Sequence, residues 1–118
     1  MLPYLIFVHL RIMKKYGVYG VKDENGNPMY IGSSSKSISQ LEWNHRNYFQ
    51  FPNGVETYFR KNLRIRGENW EFGWIIEPTK CSAKEIEIKE GELIRMVRPK
   101  YNIDKNPVKS SIKYGRYA

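Results

Sequence analysis

Two tripeptides near the start of the chain, Gly17-Val18-Tyr19 and Tyr30-Ile31-Gly32, each set a phenol beside a glycine and a β-branched residue. Between them lies Asn25-Gly26, a strong signal for a tight hairpin turn. Alternation along a strand puts Gly17 and Tyr19 on one face and Val18 on the other; Tyr30 and Gly32 share a face on the returning strand. A hairpin can therefore bring both phenols to one side, with glycines that let a ligand's backbone come close. Cross-strand aromatic packing is the plainer use of the same pattern. A phenol titrates at about 10 in water, so one that serves as a base near neutral pH needs a cation beside it.

A carboxylate stands out further on. Ser82 and Glu85 have the spacing of a capping box, and the helix expected from about Ala83 to Val97 carries an apolar stripe of Ile86, Leu93, Ile94 and Val97. Glu90 lies midway between Ile86 and Ile94 and so falls on the inward face. An unpaired carboxylate is costly to bury and calls for a cation, a proton or a metal. A salt bridge to one of the twenty Lys and Arg, or a helix rotated to leave Glu90 wet, would also satisfy it.

The elements that must position these groups can be read along the chain. Residues 16–22 form a first strand, and Met29–Ile31 returns beside it after Pro28. Ser33-Ser34-Ser35 breaks the strand, and Ser37 with Gln40 opens a helix whose inner face is Ile38, Leu41, His45, Tyr48 and Phe49. Pro52-Asn53-Gly54 ends it. A second helix spans Val55 to Ile65, with Arg60, Lys61, Arg64 and Arg66 around it. Trp70 to Ile76 is a third strand, stopped by Pro78, and the Glu90 helix is closed by Pro99. The order β-β-α-α-β-α implies an α+β fold, a small three-stranded antiparallel sheet flanked by helices. Residues 1–13 read as an apolar extension (packed strand or ordered arm), 14–103 as the domain, and 104–118 as a basic tail. Met13 is an alternative start.

Composition narrows the partners. At 118 residues and 14.0 kDa the chain suits one domain with a modest core. Its +8 charge, from twenty Lys and Arg against twelve Asp and Glu, suits a polyanion, nucleic acid before an anionic membrane. One cysteine, Cys81, excludes an internal disulfide, and His9 and His45 do not make a zinc motif. A reducing, cytoplasmic setting is expected. The apolar run Met1–Leu10 is too short to span a bilayer, so no membrane partner is expected.

Taken together, Gly17-Val18-Tyr19, Tyr30-Ile31-Gly32-Ser33, a helix, a strand, a helix with Glu90, and Pro99-Lys100-Tyr101-Asn102 resemble the GIY-YIG endonuclease domain, over about residues 14–103. The resemblance implies a DNA endonuclease or nickase that hydrolyses phosphodiesters with one divalent metal, Mg²⁺ or Mn²⁺. It implies Tyr19 as general base or water-orienting group, Tyr30 as its partner at the phosphate, Glu90 as the protein's metal ligand and Asn102 as a support. Gly32, Ser33, Gln40, Asn44, Arg60, Lys61 and Arg64 are expected along the DNA. The substrate expected is double-stranded DNA, with a homodimer or a partner protein supplying specificity, and the origin a phage or mobile element.

Two positions depart from the family's pattern. Its first-helix arginine corresponds here to Gln40, and its helix histidine to Asn44, with His45 and Arg46 following. Arg46, or His45, is then the candidate to face the phosphate. Loss of such a cation costs on the order of 10³-fold in rate. Two rivals follow: a catalytically degenerate DNA-binding protein on the same fold, and a basic adaptor that binds protein through the apolar N-terminal run.

Overall fold

The computed structural model describes residues 14–102. The expected N-terminal extension, the basic tail and the alternative start at Met13 lie outside the described residues. Strand β1 (Lys15–Lys22) and strand β2 (Pro28–Ser34) form the hairpin. Helix α1 (Ile38–Arg46) follows, then a 3-10 turn at Tyr48–Gln50, helix α2 (Tyr58–Arg66), strand β3 (Glu71–Lys80) and helix α3 (Ala83–Val97). The sheet has the order β2-β1-β3 and is antiparallel throughout. The α+β reading and its order β-β-α-α-β-α stand.

Local chemistry accounts for the boundaries. In the hairpin turn Asp23 accepts hydrogen bonds from the backbone N–H groups of Asn25 and Asn27, and Gly26 takes φ +83°, which a side chain would resist. Ser37 and Ser82 cap α1 and α3 by accepting from Gln40 N and Glu85 N, as their spacing predicts. Helix α2 begins three residues later than expected. Thr57, not the chain around Val55, supplies the capping oxygen, accepting from Arg60 N. Helix α1 stops at Arg46, and Phe49 is 63% exposed rather than part of the inner face. Strand β3 runs through Pro78 instead of ending there, because an edge strand tolerates a residue with no N–H to give.

Register assigns the side chains to faces. Tyr19 pairs with Gly32 and Val21 with Tyr30, so these four share one side; Val18, Gly20, Ile31 and Ser33 share the other. The first side packs Tyr19, Val21, Leu41, Phe59, Leu63 and Trp70 into a largely aromatic core under α1 and α2. The second packs Val18 and Ile31 against Ile86 and Ile94 of α3. Segment 100–102 then closes the outer edge of β2: Lys100 N and Tyr101 N donate to the carbonyls of Pro28 and Met29. An edge covered in this way cannot template another strand.

Candidate active site

Both motif glycines serve contacts within the protein. A Cβ on Gly17 would lie 2.6 Å from the Ile76 carbonyl oxygen, where the register with β3 shifts. A Cβ on Gly32 would lie 2.6 Å from the Tyr19 hydroxyl. The Tyr19 phenol therefore lies flat across β2 at Gly32. Within the described residues these glycines make room for a neighbouring strand and for Tyr19.

The Tyr19 hydroxyl meets His45 Nε2 at 2.8 Å, and on the other side of the ring Nδ1 accepts from Arg60 Nε at 3.1 Å. A guanidinium only donates, so Nδ1 must be bare. Burial, with Arg60 adding to it, lowers the His45 pKa to about 4, so the imidazole is neutral at neutral pH. Its single proton is then on Nε2, which donates to the Tyr19 oxygen. Burial first, then Tyr30 and Glu90, push the Tyr19 pKa well above its ordinary value, with Arg60 opposing. Tyr19 is thus a neutral phenol that accepts from His45 and keeps its own proton for another acceptor. Tyr30 stacks on Phe59 with ring centres 4.1 Å apart and stands edge-on to His45 at 5.8 Å.

Glu90 approaches from the opposite side of the sheet. It is half-buried on α3 and accepts from the Ser33 hydroxyl at 2.8 Å. Ser33 is the next residue after Gly32, where the phenol of Tyr19 crosses the strand. The two halves of the site therefore meet around β2, and Glu90 is near enough to act on the Tyr19 pKa. Asn102 holds the same strand from its edge: its Oδ1 accepts from Ile31 N and its Nδ2 donates to Ile31 O, both at 2.8 Å. Both polar ends of Asn102 are thus used on the backbone between Tyr30 and Gly32.

The other expected residues fall in different places. Arg46 is engaged elsewhere than at the phenols. Its guanidinium pairs with Glu42 at 2.9 Å and donates to the carbonyls of Gly67 and Trp70, tying α1 to the turn before β3. Gln40 is exposed and donates to Asn44 Oδ1 at 2.7 Å. Lys61 is exposed, and Arg64 pairs with Glu56 at 3.0 Å. Arg60, expected along the DNA and, with Arg64, as a further candidate for the missing cation, is the cation bonded to His45. No spacing rule links two residues on different helices, so the sequence carried no signal for that bond.

Among the described residues no three His, Cys, Asp or Glu side chains gather as a metal cluster. A single carboxylate beside a serine hydroxyl is an all-oxygen donor set. It fits a hard ion such as Mg²⁺ or Mn²⁺ that retains most of its water, and does not fit zinc. No helix among the described residues is long and apolar enough to cross a membrane.

No family model matches the chain. UvrABC system protein C of Caldanaerobacter subterraneus subsp. tengcongensis is 32% identical to it over 97 residues, 79% of this chain and 14% of that protein. The chain thus spans about one seventh of that relative's length. Among solved structures, it is similar to the GIY-YIG N-terminal endonuclease domain of UvrC from Thermotoga maritima, bound to its catalytic divalent cation, magnesium. The identity is 29%, the match covers 81% of this chain and 96% of that one, and the TM-score is 0.49. A point mutant of that domain, bound to its catalytic divalent cation, matches at 29% identity over 81% and 94% of the two chains, with a TM-score of 0.48.

Proposed function

We propose that this chain is a GIY-YIG-type nuclease domain that hydrolyses DNA phosphodiesters with one divalent ion held at Glu90. The observation that carries the reading is the Tyr19–His45 hydrogen bond laid across Gly32, one residue from the Ser33–Glu90 hydrogen bond. A phenol and a carboxylate that reach adjacent residues of β2, Gly32 and Ser33, suit a phosphate seated at that stretch. The ion, when bound, polarises the phosphate and stabilises the leaving oxygen. Glu90 would hold it, with the Ser33 hydroxyl beside the carboxylate. Tyr19 would orient the nucleophilic water through the proton it keeps, with His45 Nε2–H fixing the phenol oxygen from the other side. Pairing the Glu90 charge removes one cause of the raised Tyr19 pKa, so occupancy of the carboxylate and the readiness of the phenol are linked. Tyr30, held against Phe59, lines the same side. The +8 charge supplies sequence-blind attraction to duplex DNA, which weakens as salt rises.

The test is nicking of supercoiled plasmid in Mg²⁺ or Mn²⁺ against EDTA, with wild type and Glu90→Ala. Cleavage by wild type alone, abolished by EDTA, supports the reading. One observation favours a second: α1 offers the phenols no cation, since Gln40 is paired with Asn44 and Arg46 is spent on the fold. A degenerate site on the same fold would bind duplex DNA in a salt-dependent way and cut it under neither condition.

A further inference from the structure

Three of Arg60's groups have assigned places. Its backbone N–H is capped by Thr57, its Nη1 donates to the Val55 carbonyl at 3.1 Å, and its Nε donates to His45 Nδ1 at 3.1 Å. The guanidinium also lies 5.6 Å from the centre of the Tyr48 ring. A side chain fixed at so many points cannot follow His45 if the imidazole changes state. The other neutral tautomer would set an Nδ1–H against the Arg60 N–H. It would also leave Nε2 bare, and Tyr19 would then donate its own proton to His45.

We infer that Arg60 is a positioning residue of this site, holding His45 in the tautomer whose Nε2–H points at Tyr19 so that the Tyr19 proton is directed away from His45. The inference rests on the nuclease reading for its consequence in rate, but its structural content is independent of it. With the imidazole locked, the phenol accepts from His45 and keeps its own proton to give at Gly32, which its hydroxyl crosses. With the imidazole unlocked, the phenol's proton is consumed inside the protein. The cation that α1 lacks is thus supplied from α2, and it works through a neighbour rather than on the phosphate.

Glutamine separates this role from a role for charge. In its side chain the amide nitrogen stands the same number of bonds from Cα as Nε does in arginine, so Arg60→Gln keeps the donor to Nδ1 and removes the charge. Arg60→Met keeps the length and removes both. The tautomer is read from the ¹⁵N shifts of the two ring nitrogens of His45, distinguished from His9 by substituting the latter. Nicking of plasmid in Mg²⁺ is measured on the same proteins, after their melting curves show them folded. Wild type and Arg60→Gln are expected to show the Nε2–H tautomer and rates within about fivefold of each other. Arg60→Met is expected to show mixed tautomers and a rate lower on the order of 10²-fold, the size of a displaced acid–base group. An unchanged tautomer in Arg60→Met overturns the inference, as does a Gln variant that keeps the tautomer yet is as slow as Met. If the wild type does not nick at all, the nuclease reading fails, and the ¹⁵N measurement still decides for or against the role of Arg60.

Discussion

On one face of the sheet Tyr19, Tyr30, Phe59 and Phe72 close around His45; on the other, Val18, Ile31, Ile86 and Ile94 pack as plain aliphatics, and Glu90 stands beside them bonded to Ser33. Aromatic side chains bring large apolar areas with polar tips, so a hydrogen-bonded chain of Arg60, His45 and Tyr19 can run among them with each group satisfied. Branched aliphatics offer no hydrogen bonds, and the Glu90 carboxylate beside them takes one from the Ser33 hydroxyl. The comparison explains a divided site. The groups that orient a proton are on one side, the group that holds a charge is on the other, and Gly32-Ser33 joins them.

Phe59 tests that difference most severely. It is 2% exposed, stacked on Tyr30 and edge-on to His45. Phe59→Ala should lower unfolding free energy by about 3–5 kcal/mol in urea titrations and cut any nicking with it, because the wall that places both Tyr30 and His45 is gone.

The pH dependence of stability should also come from the aromatic side. The folded pKa of His45, about 4, is below the unfolded value of about 6.5, so the unfolded chain binds the extra proton first. The stabilisation from keeping His45 neutral is fully present above about pH 6.5 and is lost as pH falls through about 4. Its size is on the order of 3 kcal/mol. Melting curves from pH 7 to 4 should show this slope in wild type and a shallower one in His45→Asn.

At the joint between the faces, Asn102→Ala removes two hydrogen bonds to Ile31 and leaves a backbone N–H and C=O unpartnered at the edge of β2. A loss of about 2 kcal/mol is expected by denaturant titration. The aliphatic side should respond least. Ile86→Val costs about 1 kcal/mol and leaves nicking within about twofold of wild type. If Ile86→Val harms cleavage as much as Phe59→Ala does, the two faces are not divided in the way described.

What the sequence made legible follows the range of the interactions. The hairpin, the capping serines of α1 and α3, and the half-buried position of Glu90 are set by neighbours within a few residues, and all were readable. The end of α1, the true start of α2 and the passage of β3 through Pro78 depend on which cap wins and which strand lies at an edge. Local patterns do not carry that information. At the site, Tyr19, Tyr30 and Glu90 were readable as candidates. The partners of Arg46, the clamp of Asn102 on Ile31 and the bond from Arg60 to His45 join residues far apart in the chain, and only the assembled fold shows them. The reason for Gly32 belongs here too. Its type was visible, while the ring lying over it was not.

The central claim is that Glu90 and Tyr19 belong to one metal-dependent site reached around β2. Anomalous diffraction from crystals of the protein grown with Mn²⁺ tests it most directly. The account predicts a manganese peak on the Glu90 carboxylate beside Ser33, on the stretch of β2 that Tyr19 crosses, and no peak there in Glu90→Gln. Manganese bound elsewhere with Glu90 bare, or a peak that persists in Glu90→Gln, would contradict it.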